Sequence, residues 1–324
     1  MSFQYNGPVA TAERFVTVPG LASASIATQQ ANIQDLPKGF PVKLETKAAW
    51  VGSDFKESQN YIYELTSDDK AELSQGLDHF KDLQLSGERV SRDTFPLYQL
   101  GKKLDKLSAE VHEGRGFCLI RGVKPEDFSV EDLTLVYLAV QTHIADQRAH
   151  QDNRGNMLTN RPELLRLLAR SDWPFAFPRF QCRPIVFHED NRVLMNFGRT
   201  PLLGNSIHPR PKNLPSVSAH QIEALDAIEA IARATQLEIT TQAGDMHFIN
   251  NLVVLHRRES FQDGAAAVEK RHLVRMRLRS SKLGWELPQE LRSDWELDFD
   301  EEHRRVWHIE PMPEAFFPLR KYPN

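Results

Sequence analysis

Apolar residues repeat at intervals of three and four along the first half of the chain, the spacing that places them on one side of a helix. The first such stretch starts at Ser67, which we expect to cap it, and the second stops at Gly114. The third follows Ser129, another residue that favours a helix start. The pattern predicts three helices whose apolar positions are Ala71, Leu73, Leu77 and Phe80; Leu97, Leu100, Leu104, Leu107 and Val111; and Leu133, Val136, Tyr137, Val140 and Ile144.

Short apolar runs bounded by turn residues predict strands elsewhere. Residues 116–122 form such a run between glycines and suit a buried strand. Residues 183–187 and 193–197 form two more, and Asp190 with Asn191 between them is the composition of a hairpin turn. In the last third, the same pattern predicts strands at 237–240, 246–249, 252–255 and 271–279.

The order of these elements indicates the fold class. Asn160 with Pro162 predicts a further helix start, and Ser218 with Gln221 predicts a capping box. Because helices and strands do not alternate as repeating β-α units, we expect an α+β architecture built round an antiparallel barrel or sandwich. Residues 1–60 hold many turn formers and little periodicity, so we expect an arm laid over a single domain of residues 61–324.

Composition narrows the classes of function. The 40 basic and 44 acidic residues are mixed along the chain, without the basic stripe that a nucleic-acid partner would require. No run of about 18 apolar residues predicts a membrane span, and the first twenty residues lack the layout of a secretory signal. The two cysteines, Cys118 and Cys182, are far apart, which favours a reduced compartment. We expect a soluble, cytoplasmic protein.

The most informative segment is Ala243-Gly244-Asp245-Met246-His247-Phe248-Ile249-Asn250-Asn251-Leu252-Val253-Val254-Leu255-His256, followed by the arginine-bearing stretch 270–278. It resembles the glycine-aspartate turn, asparagine-bearing strand, distal histidine and arginine strand of the taurine-dioxygenase-like (TauD/TfdA) oxygenases, and its fungal members most of all. Upstream, residues 114–122 resemble an early core strand of the same family. The likeness runs from about Phe95 to Leu278.

This resemblance implies a fold, a cofactor set and three residue roles. The fold would be a double-stranded β-helix (a jelly roll, clavaminate-synthase-like) with flanking helices, a core at about 95–280 and a C-terminal extension at 281–324. Such enzymes hold iron(II) with two histidines and one carboxylate, leaving positions for 2-oxoglutarate and O2. His256, which we expect to end an apolar strand, would be the second histidine ligand. Arg271 would bind the distal carboxylate of 2-oxoglutarate, and Arg275 would face a small, anionic substrate.

The first histidine and the carboxylate come in the family as His-x-Asp, and this chain has two such triplets. His150-Gln151-Asp152 lies in a polar stretch 106 residues before His256. His188-Glu189-Asp190 lies 68 residues before it, but we interpret that triplet as the hairpin turn. His150 and Asp152 are therefore the candidate ligands, although a solvated loop is the competing interpretation.

A block of several tens of residues is expected to be absent after this triplet. Only eight residues separate Asp152 from Arg161, where the chain already resembles a family helix that normally follows a lid and further strands. If the block is absent, some barrel strands are lost and sheet edges are left open. Three functions stay open: an oxygenase in which His150 and Asp152 complete the site, a catalytically silent relative without the metal, and a mononuclear zinc hydrolase, which explains the arginines less well.

Overall fold

A computed structural model describes residues 11–17, 37, 39–40, 46–57, 60–148, 162–177, 179–206, 208–258 and 276–299. Within these ranges the chain combines helices with several small sheets, as the α+β prediction requires. None of the helices in these ranges is long and apolar enough to cross a membrane. The helices are α1 (Ser67–Asp82), α2 (Leu100–His112), α3 (Val130–Ile144), α4 (Pro162–Leu168), α5 (Arg199–Leu203), α6 (Ala219–Thr235) and α7 (Gln289–Asp298).

The strands form two three-stranded sheets and three two-stranded pairs in the described ranges. One sheet has the order β11-β1-β9, the other β10-β3-β2, and the pairs are β4-β12, β5-β6 and β7-β8. The strands are β1 (Thr11–Thr17), β2 (Ile62–Glu64), β3 (Phe117–Arg121), β4 (Gln147–Arg148), β5 (Pro174–Phe175), β6 (Gln181–Cys182), β7 (Val186–Glu189), β8 (Arg192–Met195), β9 (Leu237–Thr241), β10 (Met246–Ile249), β11 (Val254–Arg258) and β12 (Leu278–Arg279).

Strand β3 is buried on both faces, which explains its unbroken apolar sequence. Phe117 and Leu119 pack into one core cluster, together with Trp173 and Val254. The alternate residues of the strand, represented by Ile120, pack on the opposite side against α1, α2 and α3. A strand covered on both faces carries a continuous apolar run instead of alternating polarity. The prediction of a buried strand at 116–122 is therefore confirmed.

Local capping signals set two helix starts as predicted, and the predicted cap at Asn160 lies outside the described residues. Ser129 and Ser218 accept hydrogen bonds from the third residue of α3 and α6, and Gln221 completes the box at α6. The expected cap at Ser67 is wrong by one residue, because Thr66 lies in extended backbone and its hydroxyl accepts from the Asp69 amide. A cap of this kind contributes about 1 kcal/mol.

Asp69 also joins β2, α1 and α2 through its carboxylate. Its oxygens accept from the Tyr63 hydroxyl at 2.7 Å and the Lys103 ammonium at 2.7 Å, as well as from Thr66. Burial alone would raise the pKa of Asp69, but the hydrogen bonds from Lys103, Tyr63 and Thr66 outweigh it and lower the pKa to about 2. The carboxylate is thus charged in the folded protein at neutral pH and holds three elements together.

The N-terminal region contains an element that its sequence pattern does not predict. Strand β1, residues 11–17, lies between β9 and β11 and pairs antiparallel with both. Further along, Trp50 is buried against Phe117 and its indole nitrogen donates to the Arg115 carbonyl at 2.8 Å. The boundary at residue 60 between an arm and a domain stays a prediction.

Candidate functional site

The segment that carries the family resemblance begins with a tight turn between β9 and β10. Gly244 has φ +82°, a conformation that residues with a Cβ rarely adopt. A Cβ at this position would lie 2.0 Å from the Val123 carbonyl oxygen. Glycine is therefore required here for two reasons, backbone conformation and the close approach of the chain.

Asp245, the next residue, forms a nearly buried ion pair with Arg121 at the end of β3. The Arg121 Nε donates to Asp245 Oδ1 at 2.9 Å and its Nη2 to Oδ2 at 2.7 Å, so both carboxylate oxygens are engaged. The carboxylate also accepts from the Gln242 amide at 2.8 Å, and Arg121 Nη2 donates to the Thr240 carbonyl at 2.9 Å. The hydrogen-bonded Asp245 raises the pKa of the Arg121 guanidinium. The pair fixes the start of β10 against β3.

Asn250 shapes the second turn, which leads from β10 into β11. Its backbone amide donates to the Gly116 carbonyl at 2.7 Å, and its side-chain oxygen accepts from the backbone amide of Leu252 at 3.1 Å. Its own carbonyl accepts from the amides of Val253 and Val254 at 3.0 and 2.9 Å. The asparagine of the motif thus has a structural role in the turn that leads into β11.

His256 lies on β11, but not at the strand end that the sequence predicts. The predicted strand 252–255 is shifted, because Leu252 and Val253 belong to the turn and pairing continues through Arg258. The register places His256 opposite Phe15 of β1, so the N-terminal strand extends β11 past the apolar run. His256 is half-buried at the third of five strand positions.

Arg257, the neighbour of His256, belongs to a charged cluster that the sequence pattern does not indicate. On α6, Glu229 accepts from Arg233 at 2.6 Å and from Arg199 at 3.3 Å. The hydrogen bond from Arg233, with the charges of Arg199 and Arg257, lowers the pKa of Glu229. These charges link α5 and α6 to the strand that carries His256.

The other four predicted site residues, His150, Asp152, Arg271 and Arg275, lie outside the described residues. Within the described ranges, no group of three or more histidine, cysteine, aspartate or glutamate side chains is placed to hold a metal ion. His256 is thus the one member of the predicted set that the structure describes, and the roles of the other four residues stay predictions.

Strand pairing does bring together the chain segments that flank two of these positions. Gln147 pairs with Arg279 and Arg148 with Leu278 in the antiparallel pair β4-β12. Arg148 lies two residues before His150, and Leu278 lies three residues after Arg275. The segments leading into the His150 triplet and out of the arginine stretch are therefore neighbours in the fold. Of the predicted strand 271–279, residues 276–279 are described, and the strand β12 comprises only Leu278 and Arg279 among them.

The competing triplet at His188 has the structural role predicted for it. His188 and Glu189 end β7, and Asp190 and Asn191 form the hairpin turn with φ values of 51° and 59°. These left-handed conformations are tolerated by aspartate and asparagine and suit a two-residue hairpin. The His188 ring lies 5.4 Å from the Phe40 ring, centroid to centroid.

Comparison with known protein families supports the resemblance. Residues 160–277 match the family described as taurine catabolism dioxygenase TauD, TfdA family. His256, Arg271 and Arg275 lie inside the matched region, whereas His150 and Asp152 precede it.

One curated relative is the taurine hydroxylase-like protein SAT17 of Stachybotrys chartarum (strain CBS 109288 / IBT 7711). It is 27% identical, and the alignment covers 86% of this chain and 92% of the relative. The alignment spans 358 positions, whereas 86% of the 324 residues of this chain is about 279 residues. About 79 positions of the relative thus have no counterpart here. These unmatched positions agree with the predicted absence of a block.

Two solved structures give weaker likenesses. The non-heme iron oxygenase OrfP in complex with Fe is 13% identical, with 63% of this chain and 89% of that chain covered and a TM-score of 0.43. An asparagine oxygenase in complex with Fe(II), 2S,3S-3-hydroxyasparagine and succinate is 11% identical, with the same coverage and TM-score. At these TM-scores the likeness is too weak to place a residue or a ligand.

Proposed function

We propose that this TauD/TfdA-like chain oxidises a small organic, anionic substrate in a reaction that depends on iron(II), 2-oxoglutarate and O2. The observation that supports the proposal most directly is the position of His256 in the family-matched region, on strand β11, which follows the Asn250 turn. The jelly-roll arrangement of the strands is part of the same proposal.

The proposed site combines His256 with His150 and Asp152 as metal ligands. Two imidazoles and one carboxylate on one face suit iron(II) and leave positions for further ligands. Bound iron would supply the oxidising chemistry, while the protein would bind and orient the reactants. The described residues contribute one of the three donors, so the fit of the complete set rests on residues outside them.

Two arginines are proposed to bind the organic anions. Arg271 would pair with the distal carboxylate of 2-oxoglutarate, since a guanidinium offers two parallel donors to the two oxygens. Arg275 would bind an acidic group of the substrate. The pairing of β4 with β12 supports this arrangement, because it brings the segment before His150 beside the segment after Arg275.

Iron(II) binding and succinate release test this function. We expect the purified protein to bind one iron(II) under anaerobic conditions and to release succinate from 2-oxoglutarate with O2 and ascorbate. His256→Ala, His150→Ala and Asp152→Ala should each abolish both signals, and Arg271→Ala should raise the 2-oxoglutarate concentration that is needed. His188→Ala is the matched control, because that histidine belongs to the hairpin, and it should change neither signal. Iron binding that survives His256→Ala would refute the proposed site.

A catalytically silent, oxygenase-derived protein is the second candidate. The specific observation in its favour is that about 79 aligned positions of the fungal relative have no counterpart in this chain, together with the short segment between Asp152 and Arg161. On this alternative, the folded wild-type protein would bind no iron(II) above the level of the His256→Ala variant and would release no succinate.

A further inference from the structure

The N-terminal strand β1 is the middle strand of the sheet that carries His256. It pairs antiparallel with β11 through residues 13–17 and with β9 through residues 11–15. Strands β9 and β11 are therefore not neighbours, and at a strand spacing of about 4.8 Å they lie about 10 Å apart. Two strands at this separation cannot share hydrogen bonds, so each depends on β1 for its pairing on that side.

The register of β1 also relates His256 to the core. Phe15 is paired with His256 on β11 and with Leu237 on β9, so the three positions lie in one row across the sheet. Directly paired positions share a face, as do positions two apart on one strand. His256 thus lies on the face of Leu237 and Val254, which are 6% and 0% exposed and belong to one core cluster. Glu238, which lies on the opposite face of β9, is exposed.

A slip in this pairing would move the histidine to the other side of the sheet. Because side chains alternate along a strand, a shift of one residue exchanges the two faces. His256 would then lie on the face of Glu238, away from the core cluster. Residues 13–15 have paired partners on both sides, so a slip of β1 requires breaking the pairing with both neighbours.

We infer that β1 is a positioning element for His256, which holds this histidine on the inner face of the sheet. Its role at an iron site rests on the proposed function, whereas its effect on the position of His256 does not. Residues 11–17 lie outside the family-matched region 160–277, so the motif alone does not contain the strand that holds its histidine. Strand β1 covers the facing edges of β9 and β11, and the sequence predicts open edges where a block of the chain is lost.

Two substitutions at one position of the full chain test this inference. Arg14 is paired with Arg257 on one side and with Glu238 on the other. Arg14→Pro removes a backbone donor from a middle strand, where proline is not tolerated. Arg14→Ala, the matched control, removes the same side chain but keeps the donor. Hydrogen exchange of residues 254–258, followed by mass spectrometry, should be faster in Arg14→Pro than in Arg14→Ala by about tenfold, the factor that one lost hydrogen bond gives.

Labelling of histidines with diethyl pyrocarbonate reports on His256 itself. His256 and His188 are both half-buried, and His188 belongs to the hairpin β7-β8, which does not pair with β1. His256 should react about tenfold faster in Arg14→Pro than in Arg14→Ala, whereas His188 should react equally in both. Equal acceleration of both histidines would indicate general loosening and would overturn the inference.

Iron(II) affinity separates this inference from the proposed function. If the wild type binds iron(II), Arg14→Pro should bind it about tenfold more weakly than Arg14→Ala, and equal affinities would overturn the positioning role. If the wild type binds none, the proposed function fails, while hydrogen exchange and histidine labelling still decide the role of β1.

The wild type decides the question if Arg14→Pro does not fold, as judged by circular dichroism. Residues 13–15 should exchange as slowly as residues 254–258, because a strand paired on both sides exchanges only when the sheet opens. Exchange of residues 11–17 at the rate of an unstructured peptide, beside slow exchange of residues 254–258, would show that β11 does not depend on β1 and would overturn the inference.

Discussion

The ion pair between Arg121 and Asp245 gives the sharpest test of how the His256 segment is positioned. We consider Asp245→Asn, which keeps the shape of the side chain but removes its charge. The wild-type carboxylate accepts two hydrogen bonds from Arg121 and one from the Gln242 amide. The asparagine side chain has one acceptor oxygen, so its NH2 group would face a donor group of Arg121 or Gln242.

The expected loss of stability follows from burial. The exposed fractions of the two side chains are 14% for Arg121 and 1% for Asp245, so water replaces the lost partner poorly. Breaking a buried pair costs about 3–5 kcal/mol, and the partial exposure of Arg121 reduces this to about 3 kcal/mol. An unfolding entropy of about 2.1 cal/mol/K per residue converts this into a fall in melting temperature of about 4 °C for a chain of this length.

Urea denaturation and thermal melting, both followed by circular dichroism, measure this loss. The matched control is Asp172→Asn, because Asp172 also binds an arginine, Arg170, with two hydrogen bonds, but both side chains are at least half exposed. We expect the control to change stability by no more than about 0.5 kcal/mol. If Asp245→Asn is as stable as Asp172→Asn, the pair does not hold the turn and the reasoning is wrong.

Three other predictions concern glycine geometry and pH. Gly244→Ala should destabilise the protein by clearly more than Gly39→Ala. Both glycines have positive φ, but only the Cβ at Gly244 would clash, since a Cβ at Gly39 meets nothing within 4 Å. Equal unfolding free energies of the two variants would argue against the clash. The pKa of Asp69, lowered to about 2, implies stability that is present above the unfolded pKa of about 3.8 and is lost as pH falls through about 2. In Asp69→Asn, the unfolding free energy should therefore fall by about 2 kcal/mol less than in the wild type between pH 4 and 2. An equal fall in both proteins would contradict the lowered pKa of Asp69. Burial, reinforced by Arg92, lowers the pKa of His143, so stability should fall as pH drops below about 6.5. His143→Leu should weaken that fall between pH 7 and 5.5 in urea titrations, and an equally steep fall would exclude His143 as its source.

Elements with strong local signals were predictable from the sequence. The hairpin at Asp190-Asn191 and the capping box at Ser218 depend on interactions within four residues, so a linear pattern is enough to place them. Phe117 and Ile120 pack into different core clusters. This follows from the two-residue period of a strand once the apolar run is recognised. The family resemblance added the candidate roles of His256, Arg271 and Arg275.

Long-range pairings were not predictable in the same way. Strand β1 pairs with β9 and β11 across more than 200 residues of sequence, and no local pattern encodes such a partner. The same pairing extends β11 past its apolar run, which is why His256 lies within a strand instead of at its end. The contact between Asp294 and Arg183 could not be predicted from the sequence either, because a charged residue on an amphipathic helix is usually exposed.

The sequence by itself determined the helices α1, α2, α3, α4 and α6, the hairpin, the buried central strand and the TauD/TfdA-like motif, because each depends on residue types at short spacing. Only the tertiary structure decided that Gly244 is confined by the Val123 carbonyl, that Arg121 holds Asp245, and that the segment before His150 pairs with the segment after Arg275. The physical reason is that burial and pairing depend on which distant segments meet. That information lies in the packing of the whole chain and not in any window of it.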